Sequence, residues 1–317
     1  MGLFSRTVIG IDLGHASIKV VGVALGHKPR IVGFAEVAID PKNIFKDNGG
    51  DPAVVAEALR RALATAQPKA IHAKELFAVV SESHVFRKIL ELPTSVLPDE
   101  MPQVIRAEAV EYLPDEIDRL QIDYQPLGTL PGDLQQVMVV AVANNIIDNF
   151  VVLAKESHLR LRAVDPKPSG VGRAVVLPGQ GTPVILVDIG AEKTSISVYA
   201  RHMVWVTSSV NVGLDLSAPK DGEEKAPVNM ERLVDGIADE VSHVQKFYQN
   251  RVNQQDEVTE IRLSGSGSMA EEIMAELQKQ TKIPVVFAQP IVATPEGFDR
   301  RFLGALGAAF YSLYGKV

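Results

Sequence analysis

The sequence predicts an α/β fold made of two similar halves, and three observations carry that expectation. A strand–turn–strand with an aspartate and a glycine at the turn occurs twice, as IGIDLGHASIKVVGV from Ile9 and as ILVDIGAEKTSISVY from Ile185. A third strand-like run, Ile261–Ser264, leads into Gly265-Ser266-Gly267. The chain has 317 residues, 46% of them apolar, and a chain of that length can bury roughly three-quarters of its unfolded surface.

The elements follow in order. Val8–Ile11, Ser17–Ala24 and Ile31–Ile39 are runs rich in β-branched residues, punctuated by Gly14-His15-Ala16 and by Gly26-His27-Lys28-Pro29. Asp51 caps a helix with Pro52 at its first position, and Val55, Leu59, Ala62 and Leu63 make its apolar stripe. Residues 82–160 read as a small α+β unit: strand Phe86–Leu92, helix Asp99–Leu113 stopped by Pro114, strands Gln121–Tyr124 and Gln136–Ala143, and helix Asn145–Ser157. Strand Leu159–Val164 follows. The second half repeats the first with Val184–Val187, Thr194–Tyr199 and Met203–Val210. A polar stretch, Ser217–Asn229, reads as a loop through Pro219, Gly222 and Pro227. The long helix Met230–Arg251 carries Leu233, Ile237, Val241, Val244 and Tyr248 on one side. Helix Met269–Gln280, strand Ile283–Phe287 and a last helix, Arg300–Gly315, complete the pattern. Trp205, in the second hairpin, is expected to be buried.

Composition removes whole classes of function. There is no cysteine, so thiol catalysis, disulfides, iron–sulfur clusters and cysteine–zinc sites are excluded. The formal charge of −7 argues against a nucleic-acid coat. No apolar run reaches the ~20 residues that cross a bilayer, and the opening MGLFSRTVIGID has no apolar stretch ending in a cleavage site, which predicts no secretory leader. The seven histidines are scattered, with no HExxH, and neither a G-x-S-x-G elbow nor a Walker A loop is present.

The repeated turns are the candidate chemistry. Glycine lets a ligand approach the backbone, and successive turn N–H groups cradle an anion. Asp12 and Asp188 suit a hydrated Mg²⁺, which keeps several of its waters; the alternative is an Asx hydrogen bond that merely caps the turn. Two such hairpins facing each other would clamp a nucleoside triphosphate from both sides.

Asp12-Leu13-Gly14 with Lys19, and Asp188-Ile189-Gly190 with Thr194, resemble the two phosphate motifs of the actin, sugar-kinase and Hsp70 ATPase superfamily, and Ile261–Gly267 resembles its adenosine motif. The segments VFRKILELPTSVLPDEMPQVIRAEAVEYLP and VMVVAVANNIIDNFVVLAKESHLRLRAVD narrow this further. They resemble subdomain 1C of the PilM family of type IV pilus-assembly proteins, relatives of FtsA. The resemblance implies an actin-like, RNase H-like duplicated fold. Residues 1–81 would begin subdomain 1A, 82–160 would form 1C, 161–180 the return to 1A and the crossover, 181–299 domain 2, and 300–317 the closing helix. It also implies ATP and Mg²⁺ as ligands. Gly14, His15, Ser17 and Lys19 would lie at the first phosphate turn, with Gly190, Thr194 and Gly213 at the second. Gly265, Ser266 and Gly267 would lie against the adenosine. Asp12 and Asp188 would hold the metal through water, and Asp165 would position water or cap a turn. The partner it implies is the cytoplasmic N-terminal tail of a PilN-like inner-membrane protein, gripped between subdomains 1A and 1C near Phe86–Leu90 and Val104–Tyr112. Other pilus-assembly components would be further partners, and the location would be cytoplasmic, at the inner face of the inner membrane.

Departures from the family pattern bear on the nucleotide. Asn211-Val212-Gly213-Leu214 has one glycine where two are usual, subdomain 2B is reduced to 217–229, Ser266 stands for a common glycine, and His15 for a small hydroxyl residue. A missing pocket wall of ~100 Å² would cost ~2.5 kcal/mol, more than tenfold in affinity. The expectation is a scaffold with a decayed ATP site. The competing reading is an ATP-hydrolysing FtsA-like filament protein or a small-molecule kinase.

Overall fold

A computed structural model describes residues 6–45, 49–113, 117–214, 230–252, 256–265 and 271–314. Strands β1 (Thr7–Leu13), β2 (Ser17–Ala24) and β3 (Arg30–Ala38) form an antiparallel meander. Helix α1 (Pro52–Thr65) starts where expected, with the Asp51 carboxylate accepting from the N–H groups of Ala53 and Val54. It leads to β4 (Glu75–Val80), which lies parallel to β1. An inserted unit follows: β5 (Val85–Pro93), α2 (Met101–Ala109), β6 (Leu120–Leu130), β7 (Leu134–Ala143) and α3 (Asn144–Glu156). The chain returns through β8 (Arg160–Pro166), parallel to β4, and turns directly into α4 (Lys167–Val175).

The second half is β9 (Val184–Ile189), β10 (Thr194–Ala200), β11 (Met203–Val210), α5 (Met230–Arg251), β12 (Ile261–Ser264), α6 (Glu271–Thr281), β13 (Val285–Phe287) and α7 (Leu303–Tyr314). The sheet orders are β3-β2-β1-β4-β8 and β11-β10-β9-β12-β13. They are the same order twice, so the repeat seen at the turns extends to both whole sheets. This is the actin-like fold, with the three-stranded sheet β5-β7-β6 inserted in its first half.

Each sheet is covered on both faces, which is why its central strands are continuous apolar runs rather than alternating ones. Ile9, Ile11 and Val20 pack under α1 and α3. Val8, Val21, Phe77 and Val79 face α4 and α7, as Val184 and Leu186 do from the second sheet. Ile185, Val187 and Ile196 pack under α5 and α6, with Leu233, Ile237, Val241, Val244 and Tyr248 of α5 all buried. Trp205 is buried too, its indole N–H donating to the Ala200 carbonyl. Helices α4 and α7 are thus the layer shared by the two halves, and they carry the chain from one to the other.

Two elements were not foreseen, β4 and α4. The largest differences in extent are in α2 and β6. Helix α2 ends at Ala109, because Glu111 and Tyr112 donate to the Glu108 and Ala109 carbonyls in tighter i→i+3 bonds. Strand β6 continues to Leu130 past Pro126, as an edge strand with a register shift between Pro126 and Gly128 tolerates. The predicted loop 217–229 and the start of helix Met269–Gln280 lie outside the described residues. Among the described residues no helix is long and apolar enough to cross a membrane.

Candidate functional site

The two aspartate–glycine turns close in the same way. Gly14 N–H donates to the Ser17 carbonyl at 2.9 Å, and Gly190 N–H donates to the Lys193 carbonyl at 3.0 Å. Asp12 sits opposite Lys19 across β1–β2, and Asp188 opposite Ser195 across β9–β10. Both turns line one cleft of about 860 Å³ between the halves. Across it, His15 Nδ1 of the first turn lies 3.1 Å from Glu192 Oε2 of the second.

The floor of the cleft is a lysine. Lys167, the first residue of α4, places Nζ 3.2 Å from Asp12 Oδ2 and 2.7 Å from Asp188 Oδ2. Burial favours loss of its proton, but the Asp12 and Asp188 carboxylates outweigh that and hold its pKa well above the usual lysine value. The second oxygen of Asp188 accepts from the Ser264 hydroxyl at 3.0 Å. β12 reaches Asp188 this closely because Gly265 follows with φ +87°, where a Cβ would lie 2.8 Å from Asp188 Oδ1. Asp12 is backed by α7, where a Cβ on Gly304 would lie 2.6 Å from Asp12 Oδ2.

Residues 10–213 match the family model for the type IV pilus assembly protein PilM. The chain belongs to that family. Its fold is also similar to that of a solved PilM–PilN type IV pilus biogenesis complex (TM-score 0.77, 20% identity, 96% of this chain and 98% of that one covered). It is similar as well to the cytoplasmic domain of EpsL, an inner-membrane component of the type II secretion system of Vibrio cholerae (TM-score 0.53, 10% identity, 98% and 96% covered). A third likeness is to the ethanolamine utilization protein EutJ of Carboxydothermus hydrogenoformans (TM-score 0.52, 13% identity, 98% and 91% covered). At such identities these likenesses speak to the fold; the family rests on the matched residues.

The predicted site residues of this PilM-family chain divide into those at the cleft and those turned from it. Asp12, Gly14, His15, Ser17, Lys19, Asp188, Gly190 and Gly265 all line the cleft. Lys19, expected to reach phosphate, gives its ammonium to Glu36 at 3.1 Å and to the Ser17 hydroxyl at 3.0 Å, and Arg301 reaches the other Glu36 oxygen at 3.2 Å. Thr194 is fully buried and donates its hydroxyl to the Val212 carbonyl, so it ties the hairpin to the following segment. Gly213 packs on the second turn, where a Cβ would lie 2.6 Å from the Ala191 carbonyl group. Asp165 pairs with Arg173 at 2.5 Å rather than lining the cleft. Ser266 and Gly267 lie outside the described residues.

Lys167 was missed, as were Ser195 and Glu82, which also line the cleft. Among the described residues, the Ser195 hydroxyl and both Glu82 oxygens are buried without a hydrogen-bond partner. Burial pushes the Glu82 carboxyl up, partly offset by Arg87 and reinforced by Asp165. The one local signal for Lys167 was its place between Pro166 and Pro168, since proline is favoured in the first turn of a helix.

The donor set at the centre does not fit a divalent ion beside Asp12 and Asp188. Mg²⁺ wants near-octahedral oxygen donors and its own waters. Here one oxygen of each carboxylate faces an ammonium, and the other Asp188 oxygen is taken by Ser264. Among the described residues no group of three or more acidic or histidine side chains is placed to hold a metal.

At the inserted sheet, Phe86 of β5 stacks on Tyr112 with ring centroids 5.8 Å apart, and Lys88 Nζ lies 4.0 Å from the Tyr112 ring centre. Val110 beside them is 65% exposed. The other face of β5 meets the second half: Ile89 packs on its core and Arg87 donates to the Val204 carbonyl.

Proposed function

We propose that the chain is an adaptor of a type IV pilus machine that grips the cytoplasmic N-terminal tail of a PilN-like inner-membrane protein, and that its central cleft is a decayed ATP site. The observation that carries this is membership of the PilM family over residues 10–213. The likeness in fold to the PilM–PilN complex over 96% of the chain supports it. A partner of this kind would hold the chain at the inner face of the membrane.

The surface around Phe86 and Tyr112 supports the tail site. An extended peptide binds by adding main-chain bonds at a sheet edge while side chains enter apolar pockets. β5 is an edge strand of the inserted sheet, and the Phe86–Tyr112 pair with exposed Val110 offers apolar surface beside it. The cleft reading is supported by the side chains that already occupy one another there: Lys167 with both aspartates, and Lys19 with Glu36. A phosphate group entering would have to break these pairs.

A thermal-shift titration tests both parts, since a ligand that binds only the folded state raises its stability. The tail peptide of the neighbouring membrane protein should raise Tm, and Mg-ATP should not. Tyr112→Ala should weaken peptide binding, while Asp12→Ala should leave it within severalfold of wild type. Micromolar Mg-ATP binding by calorimetry, with no response to peptide, would reverse the reading in favour of an ATPase.

A further inference from the structure

We infer that Lys167 is the resident cation of the cleft: its ammonium takes the place of a divalent ion that Asp12 and Asp188 would hold, and it joins the two halves. The three groups come from three separate elements. Asp12 lies near the end of β1 of the first sheet, Asp188 near the end of β9 of the second, and Lys167 opens the helix between them. Contacts of 3.2 and 2.7 Å from one nitrogen to both carboxylates make the ammonium the bridge.

The surroundings hold the bridge in place. Pro166, immediately before Lys167, is paired to Val80 in the parallel β4–β8 ladder, so the root of the side chain is anchored in the first sheet. Its Cε passes beside Gly304 of α7, where a Cβ would sit 3.3 Å away. Only 23% of the Lys167 side chain and 4% and 14% of the Asp12 and Asp188 side chains are exposed, so water screens the three charges poorly. A divalent ion entering would meet a positive charge already seated between its two ligands, and would have to displace it. The structure therefore has what a metal would supply, a positive charge shared by both halves, built into the chain.

The inference rests on this cleft corresponding to the superfamily's nucleotide site and is independent of tail binding. Its test uses metal alone, so that an outcome cannot be confused with nucleotide affinity. Mn²⁺ is titrated into the full chain and the free-ion signal followed by electron paramagnetic resonance, with Tm measured in parallel with Mg²⁺ or chelator. Wild type should leave the Mn²⁺ signal unchanged and show no shift in Tm with either addition. Lys167→Met should lower Tm by several degrees, because two carboxylates then face each other uncompensated. It should also gain one Mn²⁺ site per chain, with Tm restored by millimolar Mg²⁺, and adding Asp188→Asn should abolish that gain. Wild-type binding of one Mn²⁺ that is lost in Asp12→Asn overturns the inference with no lysine variant needed. A folded Lys167→Met protein whose Tm is unchanged and insensitive to metal overturns it as well.

Discussion

A Cβ placed on Gly307 would lie 1.7 Å from the carbonyl oxygen of Gly170. These two residues are where α7 and α4 cross, in the layer shared by both sheets. The crossing is backbone against backbone, so no side chain can move aside to relieve an added methyl. Gly307→Ala should therefore push the two helices apart and cost about 3 kcal/mol. Gly236, within α5, provides the contrast. Among the described residues nothing lies within 4 Å of its Cβ position, so Gly236→Ala should gain roughly 0.5–1 kcal/mol from helix propensity. Urea unfolding of the two variants should move in opposite directions.

One turn earlier in α7, Gly304 makes the corresponding approach to a side chain. Its Cβ position is 2.6 Å from Asp12 Oδ2 and 3.3 Å from Lys167 Cε. Gly304→Ala should cost about 2 kcal/mol by displacing a carboxylate that is already ion-paired. In an Asp12→Ala background the obstructing oxygen is absent, and the same substitution should cost much less. That non-additivity, measured as a double-mutant cycle, reports contact between the two sites.

Asp165 lies at the crossover, paired with Arg173 at 2.5 Å, and the Arg173 side chain is only 10% exposed. The same guanidinium donates to the Gly307 carbonyl and lies over the Tyr311 ring. The pair therefore ties β8 and α4 to α7. Asp165→Asn leaves a largely buried positive charge without its partner and should cost roughly 3 kcal/mol. Tail-peptide affinity of the folded fraction should be unchanged, which separates this structural part from any role in binding.

The contrast between what the sequence disclosed and what it hid has a physical basis. The hairpins around Asp12 and Asp188 could be read because their turns are set by local glycines and flanking β-branched runs. Helix α5 could be read to its ends because Leu233, Ile237, Val241, Val244 and Tyr248 keep a clean helical spacing. β4 escaped because ELFAVV is a short apolar run buried on both faces, with no alternation to mark it as a strand. α4 escaped because Pro168, Gly170 and Gly172 make its nine residues look like a loop by propensity. Those glycines are there for packing: a Cβ on Gly172 would lie 2.1 Å from the Tyr199 ring. The role of Lys167 was hidden for a different reason. It exists only where residues 12, 167 and 188 meet, and no local pattern encodes that meeting.

Glu36 offers a test by pH at the edge of the cleft. Burial alone would raise its pKa, but Lys19, the Ser17 hydroxyl and Arg301 together outweigh that and hold it below the ordinary value of 4.5. A depressed value in the folded state means that the unfolded chain takes up the proton more readily. The stabilisation is thus present above about pH 4.5 and is lost as pH falls through the folded-state value. Glu36→Gln keeps the shape and removes the charge, so it should lower stability by about 1 kcal/mol at neutral pH. Once wild-type Glu36 is itself protonated, the two proteins should unfold at the same urea concentration. A difference that persists undiminished in acid would mean that packing, rather than the charges of Lys19 and Arg301, is what Glu36 contributes.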